Sequence, residues 1–423
     1  MTSDFRPDES FALELDARDP LAGYRERFHI PRGPEGGPVL YFCGHSLGLQ
    51  PRSARRLVEE ELTDWADLGV DGHSRARRPW YSYHERLRET GARLVGALPG
   101  EVVMMNALTV NLHLMMATFY RPTPERHAIL IERRAFPSDR YAVVSQIRHH
   151  RLDPAASLLE IGPRGGENLI RTEEVEALLA RRGPEIALVL LPGVQYATGQ
   201  VFDLERIAAA ARRQGCAAGF DLAHAAGNVL LSLHDWEVDF AVWCSYKYLN
   251  AGPGAVAGCF VHQDHGRDLS LPRLAGWWGT DPDTRFQMQP DFLPGEGADG
   301  WQVSNPPILS MAPLLASLEI FDEAGLLALR AKSILMGEFL LYHIDRIPGR
   351  RLQVITPRDA RGRGCQVSIR AADRPRDLFA RLAAAGVVAD FREPDLIRVA
   401  PVPLYNTFHE IWRFAQILGR TAP

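Results

Sequence analysis

The middle of the chain alternates short apolar runs of strand length with amphipathic helical stretches, and this alternation constrains the fold more than any other feature. The clearest predicted strands are Ala128–Ile131, Ile186–Leu191, Cys216–Phe220 and Phe240–Ser245. Between them, Thr172–Arg182 and Leu204–Gln214 place apolar residues at helical spacing, with acids early and arginines late, as the helix dipole favours. Strands that alternate with such helices are typical of a mostly parallel α/β sheet.

A chain of 423 residues is long enough for two domains. We expect residues 71–310 to form one large doubly wound domain, and residues 311–423 a smaller α/β domain. Residues 1–70 are expected to be an N-terminal segment that packs with the small domain. A long helical stretch over 309–347 is predicted to link the two domains. The predicted elements of the small domain are Gln366–Ile369, Pro375–Ala385, Leu396–Val399 and Thr407–Leu418.

The run Phe240–Val261 carries a single charge in 22 residues, about the length that crosses a bilayer. The Gly252-Pro253-Gly254 turn and the central Lys247 divide it into two pieces of strand length, Phe240–Ser245 and Ala255–Val261. We therefore predict two buried strands at this point and no membrane span.

The composition excludes several classes of protein. With 46% hydrophobic and 24% charged residues, the chain resembles an ordinary globular protein. Its net charge of −4 argues against a nucleic-acid or anionic-membrane footprint, which requires clustered basic residues. The acidic N-terminus lacks the apolar stretch of a signal peptide. Five scattered cysteines without a CxxC motif predict reduced thiols in the cytoplasm.

Two polar residues come directly after predicted strands, where ligands of an open parallel sheet bind. Asp221 ends the strand Cys216–Phe220, and Lys247 follows the next strand along the chain. Lys247 and Lys332 are the two lysines among 48 basic residues, and Lys332 lies in a polar helical run where arginine should replace it almost silently. A lysine amine can lose its proton and form a Schiff base, whereas guanidinium cannot. A carboxylate at Asp221 can hold a pyridine nitrogen protonated, so the pair suggests pyridoxal phosphate (PLP). The alternatives are an interface ion pair for the lysine and a helix cap for the aspartate.

Other kinds of site have weaker support. Thr109 precedes the helical run Val110–Tyr120 and is a candidate N-cap at an anion-binding helix start. The Gly252–Gly258 segment lacks the spacing of a nucleotide-binding loop. Asp221-x-x-His224 supplies two possible ligands, which do not make a metal site, and no GxSxG motif indicates a serine hydrolase.

With Lys247 and Asp221 in place, the chain resembles the kynureninase family, whose members are PLP-dependent enzymes of the aspartate-aminotransferase fold (fold type I). The resemblance runs from about Tyr41 to Leu418. The segments that carry it are GHSLGLQPRS (44–53), RRPW (77–80), MNALTVNLHL (105–114), AFPSDRYA (135–142), FDLAHAAGNV (220–229), HDWEVDFAVWCSYKYLNAGPG (234–254), GWWG (276–279), SNPPIL (304–309) and IRVAPVPLYN (397–406).

The resemblance implies a large domain with a mostly parallel, seven-stranded-type sheet and a smaller α/β C-terminal domain. The residues that it implies as catalytic are Lys247, Tyr246 and Asp221. The residues that it implies for cofactor binding are Leu108, Thr109, Phe136, Ser138, Asp139, Asp221, His224, Tyr246, Lys247, Trp277 and Asn305. The residues that it implies for substrate binding are Arg398, His73, Asn305 and Ser46. Trp277 and Asn305 are expected to come from the other subunit of a homodimer with shared active sites.

The reaction implied is hydrolysis of L-kynurenine or 3-hydroxy-L-kynurenine to anthranilate or 3-hydroxyanthranilate and L-alanine. The pair His73 and Asn305 matches members associated with the 3-hydroxy substrate. The chain departs from the family pattern at His45, Pro192, Gln195 and Ala197. Because proline has neither a hydroxyl nor an N–H, we expect one polar contact to the cofactor to be lost.

Two other functions stay open at this point. One is a different fold-type-I enzyme, such as an aminotransferase or a cysteine desulfurase-like lyase, which would need a mobile nucleophilic cysteine. The other is a binding module without catalysis, against which the retention of Lys247, Asp221 and Arg398 argues. The pathway is equally open between tryptophan catabolism with NAD biosynthesis and the supply of a substituted anthranilate.

Overall fold

A computed structural model describes residues 5–268, 270–349 and 351–421. The strands in these ranges are β1 (Leu40–Tyr41), β2 (Val102–Met104), β3 (Ala128–Glu132), β4 (Leu158–Ile161), β5 (Ile186–Pro192), β6 (Ala217–Asp221), β7 (Phe240–Trp243), β8 (Gly258–Val261), β9 (Leu352–Val354), β10 (Val367–Ala371), β11 (Val387–Val388), β12 (Asp390–Arg392) and β13 (Leu396–Val399). The α-helices are α1 (Glu9–Ala17), α2 (Arg52–Leu68), α3 (Gly72–Arg75), α4 (Arg88–Val95), α5 (Leu108–Phe119), α6 (Pro137–His149), α7 (Pro154–Ser157), α8 (Thr172–Arg182), α9 (Leu204–Arg213), α10 (Gln263–Gly266), α11 (Ile308–Ala324), α12 (Leu326–Ile344), α13 (Pro375–Ala384) and α14 (Phe408–Thr421).

The large sheet has seven strands in the order β2-β8-β7-β6-β5-β3-β4. The strands from β7 to β4 run parallel, and β8 pairs antiparallel with both of its neighbours. Alternate residues of each strand enter different cores, because side chains alternate across a sheet. In β3, Leu130 packs in the core that holds α8 and α9, while Ile129 and Ile131 face α5 and α6. The helices therefore cover both faces, and the predicted α/β fold with a seven-stranded, mostly parallel sheet is confirmed.

The C-terminal part builds a second sheet, antiparallel, in the order β12-β13-β10-β9. A third core joins it to α12 and α14, through residues such as Phe339, Ile397 and Phe414. The N-terminal residues contribute to two cores: α1 packs on α14 and β1 pairs with β11, whereas α2 packs along α11. The domain boundaries at residues 70 and 310 stay a prediction. Among the described helices, none is long and apolar enough to cross a membrane.

Three local predictions are wrong. The helical stretch predicted over 309–347 is two helices, since Gly325 adopts a left-handed φ of 74° between α11 and α12. Thr109 is not an N-cap, because α5 begins at Leu108, two residues before the predicted start, with Ala107 as its cap and no capping side chain. Lys332 is not part of a solvated polar run, because it is buried and its Nζ lies 2.6 Å from Asp19 Oδ2.

Candidate active site

A cavity lies at the carboxyl ends of β3, β5 and β6, where the first turns of α5 and α6 also begin. It is lined by Leu108, Thr109, Glu132, Phe136, Ser138, Asp139, Pro192, Val194, Tyr196, Asp221, Ala223, His224, Tyr246 and Lys247. Parallel strands bring their carboxyl ends to one edge of the sheet, which is where open α/β sheets bind ligands. The structure therefore brings together nine of the residues predicted from the sequence.

The side chain of Lys247 enters this cavity from the segment after β7. Its Nζ lies 5.8 Å from the centre of the Phe136 ring and 5.9 Å from that of Tyr246. Phe136 is 38% exposed in the single chain. The arrangement offers an amine beside an aromatic surface on which a flat ring can stack.

Asp139 and Asp221 form a buried carboxyl pair on the other side of the cavity. Burial and the negative charge of Asp221 hold the pKa of Asp139 well above its usual range. Burial also raises the pKa of Asp221, but the Lys247 ammonium, a hydrogen bond from Asp139 and the Ala223 N–H, at 2.6 Å, oppose that rise. Of the two, Asp139 therefore holds a proton the more readily, and Asp221 is the carboxyl that ionises first. A single carboxylate in this position can pair with one protonated ring nitrogen.

The opposite end of the cavity is suited to an anion. The helices α5 and α6 both direct their N-termini there, and each has a positive dipole end. In α6 the N–H of Ser138 is the one left for a ligand in the first turn, because Pro137 has none and that of Asp139 donates to the carbonyl of Phe136 at 3.0 Å. Thr109 Oγ1 and Ser138 Oγ, one from each first turn, lie 2.8 Å apart. Two helix starts and two hydroxyls at one point form a binding site for a phosphate group.

Two buried histidines and a tyrosine border the lysine. Burial, with the positive charges of Lys247 and Arg398, holds the pKa values of His45 and His224 well below the usual range, so both rings are neutral. Burial raises the pKa of Tyr246, whose phenol keeps its proton.

Arg398 lies behind the cavity wall, fully buried on β13. Burial lowers its pKa to about 10, so the guanidinium stays charged at neutral pH. It forms an ion pair with Asp390, and its Nη1 donates to the carbonyl oxygen of Tyr196 at 2.5 Å. Because Tyr196 lines the cavity, the guanidinium lies one residue away from it. Its role in substrate binding stays a prediction.

Besides Arg398, four predicted residues do not line the cavity within one chain. Trp277 is 42% exposed and packs against Phe286, and Asn305 is also exposed. His73 stacks on Tyr81, with ring centroids 4.7 Å apart. Ser46 lies in the loop that ends at Gly48, whose N–H donates to the carbonyl of Tyr246 at 2.8 Å. The roles of these four residues stay predictions.

The sequence reasoning missed four of the residues that line the cavity: Glu132, Val194, Tyr196 and Ala223. Glu132 had a usable signal, because it is the last residue of β3 and so stands at the carboxyl end of a parallel strand. It is 2% exposed, and burial raises its pKa to about 8. Tyr196 and Val194 lie in an irregular loop, for which no comparable pattern exists.

Away from the cavity, Glu101, His234 and His262 are the one group of three possible metal ligands in the part of the chain that the structure describes. Glu101 Oε1 accepts hydrogen bonds from His234 Nδ1 and the Gln263 N–H, each at 2.9 Å. Its Oε2 accepts one from the Leu98 N–H at 2.8 Å. These bonds satisfy the carboxylate without an ion. The expectation that the chain uses no metal stays a prediction.

The family model described as the kynureninase C-terminal domain matches residues 329–418. The kynureninase of Koribacter versatilis is 57% identical over 412 residues, with 97% of both chains covered. The kynureninase of Myxococcus xanthus is 56% identical over 414 residues, covering 98% of this chain and 97% of the relative. The chain belongs to the kynureninase family.

Solved structures of other enzymes share the fold of this kynureninase-family chain. A C-DES mutant with glycine covalently linked to its PLP cofactor superposes with a TM-score of 0.76 at 19% identity, covering 93% of this chain and 98% of that one. The cysteine desulfurase of Thermococcus onnurineus superposes with a TM-score of 0.75 at 17% identity, over 96% and 98% of the two chains. These matches confirm the PLP fold type I architecture.

The residues of the cavity fit PLP. The Lys247 amine suits the aldehyde of PLP, and the Asp221 carboxyl group suits its ring nitrogen. The Phe136 ring suits the flat pyridine ring, and the two helix N-termini suit the phosphate. Asp139 Oδ1 and His224 Nδ1 are buried and have no hydrogen-bond partner among the described residues. Buried polar atoms without partners are costly, so these atoms suit a polar ligand.

Proposed function

We propose that this chain is a kynureninase, a PLP-dependent hydrolase that cleaves the Cβ–Cγ bond of L-kynurenine, 3-hydroxy-L-kynurenine or both. The products are anthranilate or 3-hydroxyanthranilate and L-alanine. The observation that carries the proposal is that Lys247 and Asp221 line one cavity in a chain 57% identical to a kynureninase over almost its full length. The hydrolysis balances because water supplies its hydroxyl to the aroyl carbon and its proton to Cβ of alanine.

PLP, when bound, supplies an aldehyde that condenses with amines and a pyridine ring that takes up electrons. Asp221 holds the proton on the ring nitrogen, and Asp139 keeps Asp221 ionised by donating its own proton to it. Phe136 stacks on the ring, while Leu108, Thr109 and Ser138 bind the phosphate.

Lys247 would hold the cofactor through its amine, and its Nζ would accept and return the proton of the substrate Cα. Tyr246 keeps its phenolic proton, because burial raises its pKa, and is proposed to pass that proton to Cβ of the substrate. The neutral ring of His224 contacts the cofactor without adding a charge.

The substrate is bound at its carboxylate and at its aromatic ring. Arg398 binds the α-carboxylate with its planar fork, and Ser46, two residues before the Gly48 that contacts Tyr246, is proposed to bind the substrate too. His73 and Asn305 contact the ring, and we propose that they let the enzyme accept 3-hydroxykynurenine at least as well as kynurenine. Comparison of kcat/KM for the two substrates tests this point, and a strong preference for unhydroxylated kynurenine contradicts it.

The working unit is proposed to be a homodimer in which Trp277 and Asn305 of each subunit reach the phosphate region of the other. An apolar groove supports this assembly, since it lies between α2 and the 250–253 segment that follows Lys247. Leu62, on the groove wall, is 42% exposed in the single chain. Light scattering should show a dimer for the wild type and a monomer without activity for Leu62→Asp. A wild-type monomer with full activity would contradict the proposal.

A cytoplasmic location is proposed because all five cysteines are free, as expected in a reducing compartment. Four of them are buried, and burial raises the pKa of Cys43, the half-buried one. None therefore resembles the mobile, reactive cysteine of a desulfurase. The domain division at residues 70 and 310 is kept as part of the proposal.

The test is an assay of the purified protein with kynurenine, 3-hydroxykynurenine and L-cysteine, in which aromatic product, alanine and sulfide are all measured. We expect equal amounts of the aromatic acid and alanine, no sulfide, and no turnover in Lys247→Ala. Sulfide from cysteine, or transfer of the amino group to an added keto acid without an aromatic acid, would assign the chain to one of the two rival enzyme classes.

A further inference from the structure

Glu132 is a buried carboxyl group in the cavity for which the proposed reaction has no use. Its Oε1 accepts one hydrogen bond, from Gln195 Nε2 at 3.3 Å, and its Oε2 has no partner among the described residues. The side chain stands at the end of β3, so the sheet fixes its position. Burial of a carboxyl group with a single hydrogen-bond donor destabilises the fold, so the presence of Glu132 here calls for an explanation.

The hydrogen bonds of Gln195 fix which way its side-chain amide is turned. Its carbonyl oxygen accepts three hydrogen bonds: from the N–H of Ala197 at 2.7 Å, and from the N–H and the hydroxyl of Thr198 at 2.8 and 3.3 Å. The amide NH₂ must therefore face Glu132. Turning the amide round would bring NH₂ against two backbone N–H groups, which are also donors. Glu132 and Gln195 thus lock the turn at 195–198 onto β3.

Tyr196, inside this turn, contacts both Phe136 and Arg398. The Tyr196 ring lies 5.4 Å from the ring of Phe136 in an edge-on arrangement, and its carbonyl accepts from Arg398 Nη1 at 2.5 Å. The same carbonyl accepts from Gln366 Nε2 at 2.9 Å. The 195–198 turn therefore connects the strand that carries Glu132 to the guanidinium proposed to bind the substrate carboxylate.

We propose that Glu132 is a positioning residue that, as a neutral acid, holds Gln195 and the 195–198 turn, and so sets the position of Arg398 for the substrate α-carboxylate. The proposal rests on the proposed function for the identity of the substrate. A glutamine suits position 195, since an amide can accept from the turn and donate to Glu132 at the same time.

Charge supports the neutral form of Glu132. The titratable groups around it are Asp221 from β6 and Asp139 from α6, with Lys247 as the neighbouring cation of the cavity. One ammonium cannot balance three carboxylates, so the three carboxyl groups are not all ionised together. Burial and Asp221 raise the pKa of Glu132 to about 8, so it holds its proton at neutral pH.

The first test separates substrate binding from chemistry. In Glu132→Ala, we expect KM to rise about 10-fold with kcat within about twofold of wild type, because uniform binding is lost and the reacting atoms are untouched. Glu132→Gln keeps a neutral acceptor for Gln195 and should restore KM to within about twofold. Gln195→Ala should raise KM as Glu132→Ala does, and the double variant should be no worse, because both act through one link. Glu160→Ala, an exposed glutamate on the neighbouring β4, is the matched control and should change neither constant.

The second test uses the protein without cofactor and measures no activity. Because folding raises the pKa of Glu132 from 4.5 to about 8, its neutral form stabilises the fold below pH 4.5, and that stability is lost as the pH rises through 8. The Tm of wild type minus that of Glu132→Gln should therefore fall steadily between about pH 5 and pH 9. A difference that does not change with pH shows an ionised Glu132 and overturns the proposal.

The outcomes separate this inference from the proposed function. The positioning role is wrong if the wild type turns over kynurenine and Glu132→Ala has the same KM as the wild type. It is also wrong if Glu132→Ala lowers kcat as much as it raises KM and Glu132→Gln restores neither constant. If the wild type shows no turnover, the proposed function fails, while the pH dependence of the Tm difference still decides whether Glu132 holds a proton.

Discussion

Lys332 and Asp19 form a buried ion pair whose loss should destabilise the protein strongly. The Nζ of Lys332 lies 2.6 Å from Asp19 Oδ2 and 2.7 Å from the carbonyl oxygen of Pro403. The two side chains are 7% and 5% exposed, so water cannot replace either partner. The pair joins the residues after α1 to α12 and to the loop before α14. Lys332→Met removes the cation and leaves a carboxylate and a carbonyl unpaired in the interior.

Removal of one partner of a buried pair costs about 3–5 kcal/mol. With an unfolding entropy of about 2.1 cal/mol/K per residue, each kcal/mol lowers Tm by about 1 °C in a chain of this length. Lys332→Met should therefore lower Tm by about 3–5 °C in differential scanning calorimetry. The double variant with Asp19→Asn should recover at least half of this loss, because no buried charge is left alone.

Lys332→Arg is the informative control for the Lys332 pair. It keeps the charge but must place a larger planar group where the amine has two short contacts, so overpacking should cost about 1–3 kcal/mol. A Tm for Lys332→Met within about 1 °C of wild type would refute the reasoning, since it would mean that water reaches Asp19. A double variant that is less stable than the single one would refute the assignment of the cost to an unpaired charge.

Three further predictions concern the cavity. Lys247→Arg should abolish turnover and the visible absorbance band of the bound cofactor, because guanidinium stays protonated; measurable steady-state activity would contradict the mechanism. Thr109→Val and Ser138→Ala should each weaken PLP binding about 10-fold or more, since a hydrogen bond to a charged group contributes about 1.5–3 kcal/mol, and titration of the cofactor-free protein with PLP measures this. Asp221→Ala should lower kcat about 100-fold with the cofactor still bound, because it removes the charged partner of the ring nitrogen; single-turnover kinetics separate the loss from product release.

Much of the fold could be predicted because the elements of the large sheet are locally consistent. The helix Thr172–Arg182 agrees residue for residue with α8, since acids at its start and arginines at its end mark both ends. The strand over 240–245 ends at Trp243, two residues early, because the chain turns there toward Lys247. The break at Gly325 was missed because its neighbours Ala324 and Leu326 are strong helix formers, and only the left-handed φ of the glycine separates the two helices.

The candidate site divides in the same way between local and long-range information. The carboxyl ends of parallel strands are a local signal, and they point to Asp221 and Lys247 from sequence alone. The link from Glu132 through Gln195 to Arg398 joins residues 63 and 202 positions apart and depends on the conformation of an irregular turn. No repeating pattern in the sequence predicts contacts of this kind.

The same distinction explains the two lysines. Lys247 stands out because almost no charge surrounds it in the sequence, whereas the polar neighbours of Lys332 suggest a solvated helix face. In the structure Lys332 is the more buried of the two, because Asp19, more than 300 positions away, reaches it through the packing of the N-terminal segment. The strand pattern of the sequence is enough to bring Asp221 near Lys247, because the two residues follow neighbouring parallel strands. No pattern of this kind connects Lys332 with Asp19, so its burial could not be predicted from its sequence neighbours.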